Sequence, residues 1–167
     1  PRMHDRGSLA KYVDYVMLMA YDEHSRTCKT PGSVASLPWV ESAVEKTIAE
    51  GVPPEKLVLG VPFYMRRWEE SQEAGKTQVK SMTLSMASSD ALIQSRGLAP
   101  QWRDDVGQYY YAYVDNGKTY KVWAEDGQSL AKKLALIDKY RLAGMAGWRH
   151  GQEKPEVWNV IASALGK

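Results

Sequence analysis

Residues 12–21 read YVDYVMLMAY, a nearly continuous run of apolar side chains that is followed by a polar loop at 22–36. Such a run is typical of a strand buried on both faces, as in a parallel sheet covered by helices. The next segment, 36–51, predicts a helix with a proline in its first turn and a glycine at its end. Together these segments form one strand-then-helix unit.

The same pattern recurs twice along the chain. LVLGVPFY at 57–64 predicts a second buried strand, and GMAGW at 144–148 predicts a third. Apolar spacing predicts helices at 129–142 and 155–165. Strands joined by helices run parallel with right-handed crossovers, so the order predicts an α/β fold. Taken alone, it leaves open a doubly wound sheet or part of a barrel.

A long stretch separates the second strand from its helix. Residues 67–125 far exceed an ordinary connection between a strand and a helix. Within it, QYYYAYVDNGKTYKVW alternates around Asn116-Gly117, a strong indication of a hairpin with a two-residue turn. We therefore expect an α+β insertion subdomain at 67–123, with the strand-and-helix body formed by 1–66 and 124–167.

Length and charge exclude several classes of protein. The chain has 167 residues, fewer than the roughly 250 of a complete (β/α)₈ barrel. It begins at Pro1 without an initiator methionine, which suggests a piece of a longer protein. With 22 basic and 20 acidic residues and no basic block, no nucleic-acid partner is expected. No apolar run reaches membrane length, so no membrane partner is expected.

Metal chemistry also finds little support. Cys28 is the single cysteine, so neither an intramolecular disulfide nor a thiolate metal site can form. The three histidines are scattered without ligand spacing, and no metal or cofactor is expected.

The aromatic composition is unusual, with ten Tyr and six Trp against one Phe. Flat side chains with polar tips suit a wet cleft as well as a core.

Reactive side chains follow all three predicted strands. In parallel sheets, functional groups gather at the carboxyl ends of the strands. Those ends read Met19-Ala20-Tyr21-Asp22, Pro62-Phe63-Tyr64-Met65-Arg66 and Gly147-Trp148-Arg149. A carboxylate, phenols, guanidinium groups and an indole at one edge of the sheet would form a plausible glycan-binding site. The residues equally permit a structural role, with Tyr21 and Tyr64 in the core and Asp22 capping a loop or pairing with Arg66.

Three segments carry a resemblance to a known family. YVMLMAYDEH, PGSVASLPWVESAVEKTIAEGVPPEKLVLGVPFYMRRW and GMAGWRHGQEKPEVW resemble the last three strand-helix units of family 18 glycoside hydrolases. They look most similar to the bacterial branch that trims peptidoglycan during spore formation and germination. The resemblance implies a partial TIM (β/α)₈ barrel with an α+β insertion, located outside the cell or on the bacterial spore wall.

The resemblance also implies roles for individual residues. In this family the N-acetyl group of the substrate attacks the anomeric carbon. Tyr21 would hold the acetamido oxygen, Asp22 would bind a sugar hydroxyl and tune the local charge, and Trp148 would form the floor beneath the sugar. The complete set that the resemblance implies is Met19, Tyr21, Asp22, Tyr64, Arg66 and Trp148, with no cofactor and no metal.

One departure from the family pattern concerns the catalytic acid. The Asp-x-x-Asp-x-Asp-x-Glu signature that supplies the proton to the leaving oxygen does not occur in these 167 residues. We therefore expect an inactive fragment of a retaining hydrolase of β-linked N-acetylglucosamine polymers, peptidoglycan before chitin. The alternative is a non-catalytic, lectin-like glycan-binding module of the same fold. Because a half barrel exposes sheet edges, self-association is also expected.

Weaker candidates lie in the loops and the insertion. Arg149 and Glu153 would either bind sugar hydroxyls or pair with each other, and His24 follows the first motif closely enough to approach a substrate. The remaining candidates are aromatic residues that would either wall the cleft or pack the subdomain, namely Trp102, Tyr109, Tyr111 and Tyr113.

Overall fold

The computed structural model describes residues 5–166, which form α-helices, a 3₁₀ turn and strands. In chain order these are α1 (Arg6–Leu9), β1 (Val16–Met19), α2 (Leu37–Ala49), the 3₁₀ turn (Pro54–Lys56), β2 (Leu57–Pro62), β3 (Tyr64–Glu73), β4 (Lys76–Ser85), α3 (Met86–Arg96), β5 (Gln101–Arg103), β6 (Gln108–Asp115), β7 (Lys118–Ala124), α4 (Gly127–Tyr140), β8 (Gly144–Trp148) and α5 (Val157–Ala164).

The three predicted strands form one parallel sheet. Its order is β1-β2-β8, with β2 in the centre and both pairings parallel. The predicted helices are present as α2, α4 and α5. Apolar side chains of β2, α2, α4 and α5 share one buried core, in which Leu57, Leu59 and Val61 are fully buried. The predicted α/β fold is therefore confirmed, because its predicted strands and helices are all present.

The first strand differs from its prediction. It covers only Val16–Met19, and its burial alternates instead of being complete. Val16 and Leu18 pack against the core, while Met17 and Met19 are 60% and 66% exposed. The prediction of a strand buried on both faces was wrong here, because β1 is an edge strand and the helices cover only one of its faces.

The rest of the chain forms a five-stranded antiparallel sheet of order β4-β3-β7-β6-β5. The hairpin predicted at Asn116-Gly117 joins β6 to β7. A second hairpin, β3–β4, turns at Ala74-Gly75 with positive φ at both residues and was not predicted. Because alanine seldom adopts positive φ, the sequence at this position did not indicate a hairpin turn. The boundaries proposed at 67 and 123 stay a prediction.

A buried ion pair links the end of the antiparallel sheet to α4. Glu125 follows β7 and Lys133 lies in α4, and their side chains are 1% and 0% exposed. Lys133 Nζ donates to both carboxylate oxygens at 3.1 and 2.9 Å. Gln108 Nε2 donates to Glu125 Oε1 at 2.6 Å, and the Ser33 hydroxyl donates to Gln108. Burial raises the pKa of Glu125, and Lys133 offsets this only in part.

Removal of the cation should destabilise the fold strongly. Lys133→Met would leave a buried carboxylate without its partner, and we expect the free energy of unfolding to fall by about 3–5 kcal/mol in urea denaturation. The matched control is Lys132→Met on the exposed side of the same helix, which should change the free energy of unfolding by less than about 0.5 kcal/mol.

A double variant separates the lost pair from the lost side chain. Combining Glu125→Leu with Lys133→Met should recover much of the loss, because no uncompensated charge remains buried. Equal stability of the Lys133→Met and Lys132→Met variants would contradict this assignment.

Candidate functional site

The carboxyl ends of β1, β2 and β8 open onto one cleft. β1 leads into Tyr21 and Asp22, β2 passes through Phe63 into β3, and β8 ends at Trp148. Because the three strands are parallel and adjacent, these ends lie at the same edge of the sheet. The cleft has a volume of about 380 Å³ and is lined by Asp22, Tyr64, Arg66, Thr83, Trp148, Arg149 and Gln152.

Asp22 is the centre of the polar side of this cleft. Its Oδ1 accepts a hydrogen bond from the Tyr64 hydroxyl at 2.6 Å and from Arg66 Nη2 at 2.7 Å. Arg66 is only 6% exposed and also donates Nε–H to the His24 carbonyl at 3.2 Å, whereas Asp22 is 46% exposed. The other carboxylate oxygen, Oδ2, makes no hydrogen bond within residues 5–166. Asp22 therefore presents an acceptor that its neighbours hold in place.

Two tyrosines pack edge to face beside Asp22. The ring centroids of Tyr21 and Tyr64 are 6.3 Å apart at an interplanar angle of 75°. Burial, followed by the hydrogen bond to Asp22, raises the pKa of Tyr64 well above its ordinary value. Burial, and then the charge of Asp22, raise the pKa of Tyr21. Both phenols stay protonated at neutral pH, and the Tyr21 hydroxyl has no hydrogen-bond partner in the described chain.

Trp148 supplies the apolar side of the cleft. Its side chain is 54% exposed, and its carbonyl oxygen accepts the Phe63 N–H at 2.6 Å. A Cβ atom at Gly147 would collide with the Phe63 ring, so glycine at this position lets the two strand ends approach. The peptide bond between Trp148 and Arg149 is cis. The indole thus lies at the mouth with a face open to a ligand.

The structure brings together most of the residues singled out from the sequence. Asp22, Tyr64, Arg66 and Trp148 line the cleft, and Tyr21 contacts it through the ring of Tyr64. Met19 lies apart and lines a separate depression beside α2. The pairing of Asp22 with Arg66, one of the two structural alternatives, is observed. Thr83 and Gln152 also line the cleft, but neither was among the residues singled out from the sequence.

The weaker candidates have local partners. Glu153 accepts the N–H groups of Gly151 and Gln152 and lies 3.7 Å from His150 Nε2, instead of pairing with Arg149. Half-buried His24 lies with Nδ1 2.8 Å from the Ser33 carbonyl oxygen. The insertion aromatics pack the subdomain through Trp102 against Tyr109, Tyr113 against Tyr120, and the hydrogen bond between Tyr111 and Ser89.

The acidic pairs of the insertion are engaged in local contacts. Glu69 accepts from Lys118 and Tyr120, and Glu70 pairs with Lys121. Asp104 accepts from the Trp102 indole, and Asp105 pairs with Arg103. Residues 5–166 hold no cluster of three or more metal-ligating side chains. Over the same residues, no helix is long and apolar enough to cross a bilayer.

The class of protein follows from this arrangement. Parallel strands joined by helices, with a cleft of phenols, carboxylate and indole at their carboxyl ends, agree with part of a (β/α)₈ barrel enzyme. The family model for glycosyl hydrolases family 18 matches residues 3–153, and the chain belongs to that family. The prediction of the family is thereby confirmed.

Known proteins support the same assignment. The chain is 28% identical over 159 residues to the uncharacterized glycosylase YvbX of Bacillus subtilis, covering 95% of this chain and 44% of that protein. It matches the spore cortex-lytic enzyme SleL of Bacillus megaterium with a TM-score of 0.81 and 25% identity, over 96% of this chain and 36% of that one.

A third match is a plant enzyme. The family 18 chitinase of Cycas revoluta in complex with (GlcNAc)3 matches with a TM-score of 0.78 and 28% identity, over 95% of this chain and 48% of that chain. The chain thus spans half or less of the length of these proteins. The prediction of a partial barrel with an insertion is confirmed by these matches.

Removal of the Asp22 charge should weaken the cleft. Asp22→Asn would leave the nearly buried Arg66 guanidinium without a carboxylate, and we expect the free energy of unfolding to fall by about 1–2 kcal/mol in urea denaturation. The exposed Asp14→Asn serves as the control, with a change below about 0.5 kcal/mol. If Asp22→Asn were as stable as Asp14→Asn, the ion pair would contribute nothing to the fold.

Proposed function

We propose that this chain forms the substrate-holding part of a retaining, substrate-assisted glycosidase of β-linked N-acetylglucosamine polymers, peptidoglycan before chitin. The observation that carries this proposal is the convergence of Tyr21, Asp22, Tyr64 and Arg66 beside the exposed face of Trp148. Family membership supports it, and so do the spore cortex-lytic enzyme and the chitinase–(GlcNAc)3 complex among the matches. The same matches support a location outside the cell or on the spore wall.

Tyr21 would position the reacting group. In a substrate-assisted reaction the acetamido oxygen attacks the anomeric carbon as the glycosidic oxygen departs, and the product is an oxazolinium ion. The Tyr21 hydroxyl is protonated at neutral pH and has no partner among residues 5–166, so it can donate to that acetamido oxygen. Holding the oxygen near the carbon removes part of the entropic cost of the attack.

Asp22 and Trp148 would act on charge and orientation. The carboxylate of Asp22 stabilises positive charge that develops on the acetamido group, and its free oxygen accepts an N–H or hydroxyl of the sugar. Tyr64 and Arg66 hold that carboxylate through its other oxygen, Oδ1. The indole of Trp148 packs against the apolar C–H face of the sugar ring.

The proton for the leaving group would come from polypeptide outside this sequence. The family's acidic signature is absent from the 167 residues, and the acids of the insertion are held in local pairs. Loss of a general acid costs about 10²–10⁴ in rate. We therefore propose that the chain alone is inactive, with 1–66 and 124–167 as the barrel part and 67–123 as the insertion.

Absence of the acid signature also favours a second candidate function. The same cleft would serve a non-catalytic glycan-binding module of this fold. A glutamate at the end of the corresponding motif in the longer polypeptide would distinguish the enzyme from the binder.

The exposed edge strand β1 agrees with the expected self-association, which stays a prediction.

Binding of an acetylated oligomer tests the proposed cleft. We expect the tetramer of N-acetylglucosamine to bind the chain in isothermal titration calorimetry, and Tyr21→Phe to weaken its affinity about fivefold to tenfold through loss of one hydrogen bond. The matched control is Tyr12→Phe at an exposed residue outside the cleft, which should bind like the wild type.

The acetyl group provides a second control on the ligand. The deacetylated tetramer should bind more weakly to the wild-type chain, and Tyr21→Phe should not weaken it further. Equal affinity for the two oligomers, or no effect of Tyr21→Phe on the acetylated one, would refute the assigned role of Tyr21.

A further inference from the structure

The antiparallel sheet carries a second depression on the face that also lines the cleft. Side chains alternate along a strand, so Trp68 lies on the same face as Arg66, and its register partner Lys121 lies there too. Buried Trp68 donates its indole N–H to the Gly32 carbonyl at 2.8 Å. The loop at 22–36 therefore crosses the sheet over Trp68, with the cleft on one side.

On the other side of this loop lies what we call the aromatic groove. It has a volume of about 380 Å³. Its lining includes Glu23, Arg103, Asp105, Tyr110, Lys121 and Trp123. None of them lines the cleft at the strand ends.

Tyr110 and Trp123 form the platform of the groove. They are register partners on β6 and β7, and their ring centroids are 5.0 Å apart. Neither the Trp123 indole N–H nor the Tyr110 hydroxyl makes a hydrogen bond within residues 5–166. Trp102, in contrast, donates its indole N–H to Asp104 at 2.7 Å. The platform thus combines half-buried ring faces with two unused polar groups.

The rim of the groove is polar and nearly balanced in charge. Arg103 donates to both Asp105 oxygens at 3.0 and 2.9 Å, and Lys121 pairs with Glu70. One oxygen of Glu23 accepts the backbone N–H of Ser36 at 2.8 Å, and the other has no partner in the described chain. Because both cations already have carboxylate partners, an acidic ligand gains little here, whereas a neutral polyhydroxylated one finds donors and an acceptor.

We propose that the aromatic groove is a second carbohydrate-binding site. A pyranose ring would pack its C–H face on Trp123 and Tyr110, and its hydroxyls would bond to Glu23 and to the two unused donors. The choice of N-acetylglucosamine as the sugar rests on the proposed function. Two sites on one chain would raise its retention on a polymer without a stronger contact at either site.

The first test follows the tryptophan indole N–H signals by NMR as the N-acetylglucosamine tetramer is added. The chain has six tryptophans, and Trp123→Phe and Trp148→Ala assign the two signals that matter. We expect both signals to shift in the wild type. In Trp148→Ala the Trp123 signal should still shift, with a dissociation constant changed by less than about twofold, because no residue lines both sites.

The second test measures retention on the insoluble polymer. Trp123→Ala should weaken it about threefold to tenfold through loss of the ring face. The matched control is Trp102→Ala on the opposite face of the same sheet, which should bind the polymer like the wild type. If Trp123→Ala fails to fold, the signals of the wild-type chain still decide the question.

The outcomes separate this inference from the proposed function. If only the Trp148 signal shifts, the aromatic groove is not a carbohydrate-binding site, whereas the proposed binding in the cleft stands. Failure of both signals to move would overturn the second site and the proposed function together. A Trp123 signal that responds to the dipeptide L-alanyl-D-glutamate but not to the sugar would overturn the class of ligand.

Discussion

The buried ion pair of Glu125 and Lys133 fixes α4 to the end of the antiparallel sheet. Glu125 follows the antiparallel sheet, Lys133 belongs to the helix that packs beneath the parallel sheet, and Gln108 and Ser33 extend the contact to the loop at 22–36. Such a pair compensates for its desolvation only when the remaining oxygen lone pairs are also satisfied, as they are here. That loop begins at Asp22, so the geometry of the cleft depends on the same contacts.

Local patterns along the sequence were enough to predict the three parallel strands, the helices beside them and the β6–β7 hairpin. Apolar runs, a proline in the first helical turn and the Asn116-Gly117 turn each act within a few residues. The exposure of β1 depended on which strands flank it, and the β3–β4 hairpin turns at Ala74-Gly75, where alanine takes a positive φ that it seldom adopts. Glu125 and Lys133 read as ordinary surface charges, because only the packed structure buries them.

The sequence likewise predicted only some of the residues of the candidate site. Tyr21, Asp22 and Trp148 were predictable because the carboxyl ends of parallel strands converge. Thr83 and Gln152 reach the cleft from β4 and from the loop after β8, and neither was singled out, since neither lies at the carboxyl end of a parallel strand. The aromatic groove was also not predicted, since its platform needs the register that places Tyr110 opposite Trp123. Long-range pairing thus decides the parts of both sites that lie in the insertion.

Hydrolysis of a fluorogenic N-acetylglucosamine oligomer by the purified chain measures most directly whether this chain supplies a catalytic acid of its own. We expect fluorophore release to stay at the uncatalysed background, because the acid signature of the family is absent from these 167 residues. Steady release that disappears in Trp148→Ala would contradict this, since the proton donor would then lie within these 167 residues.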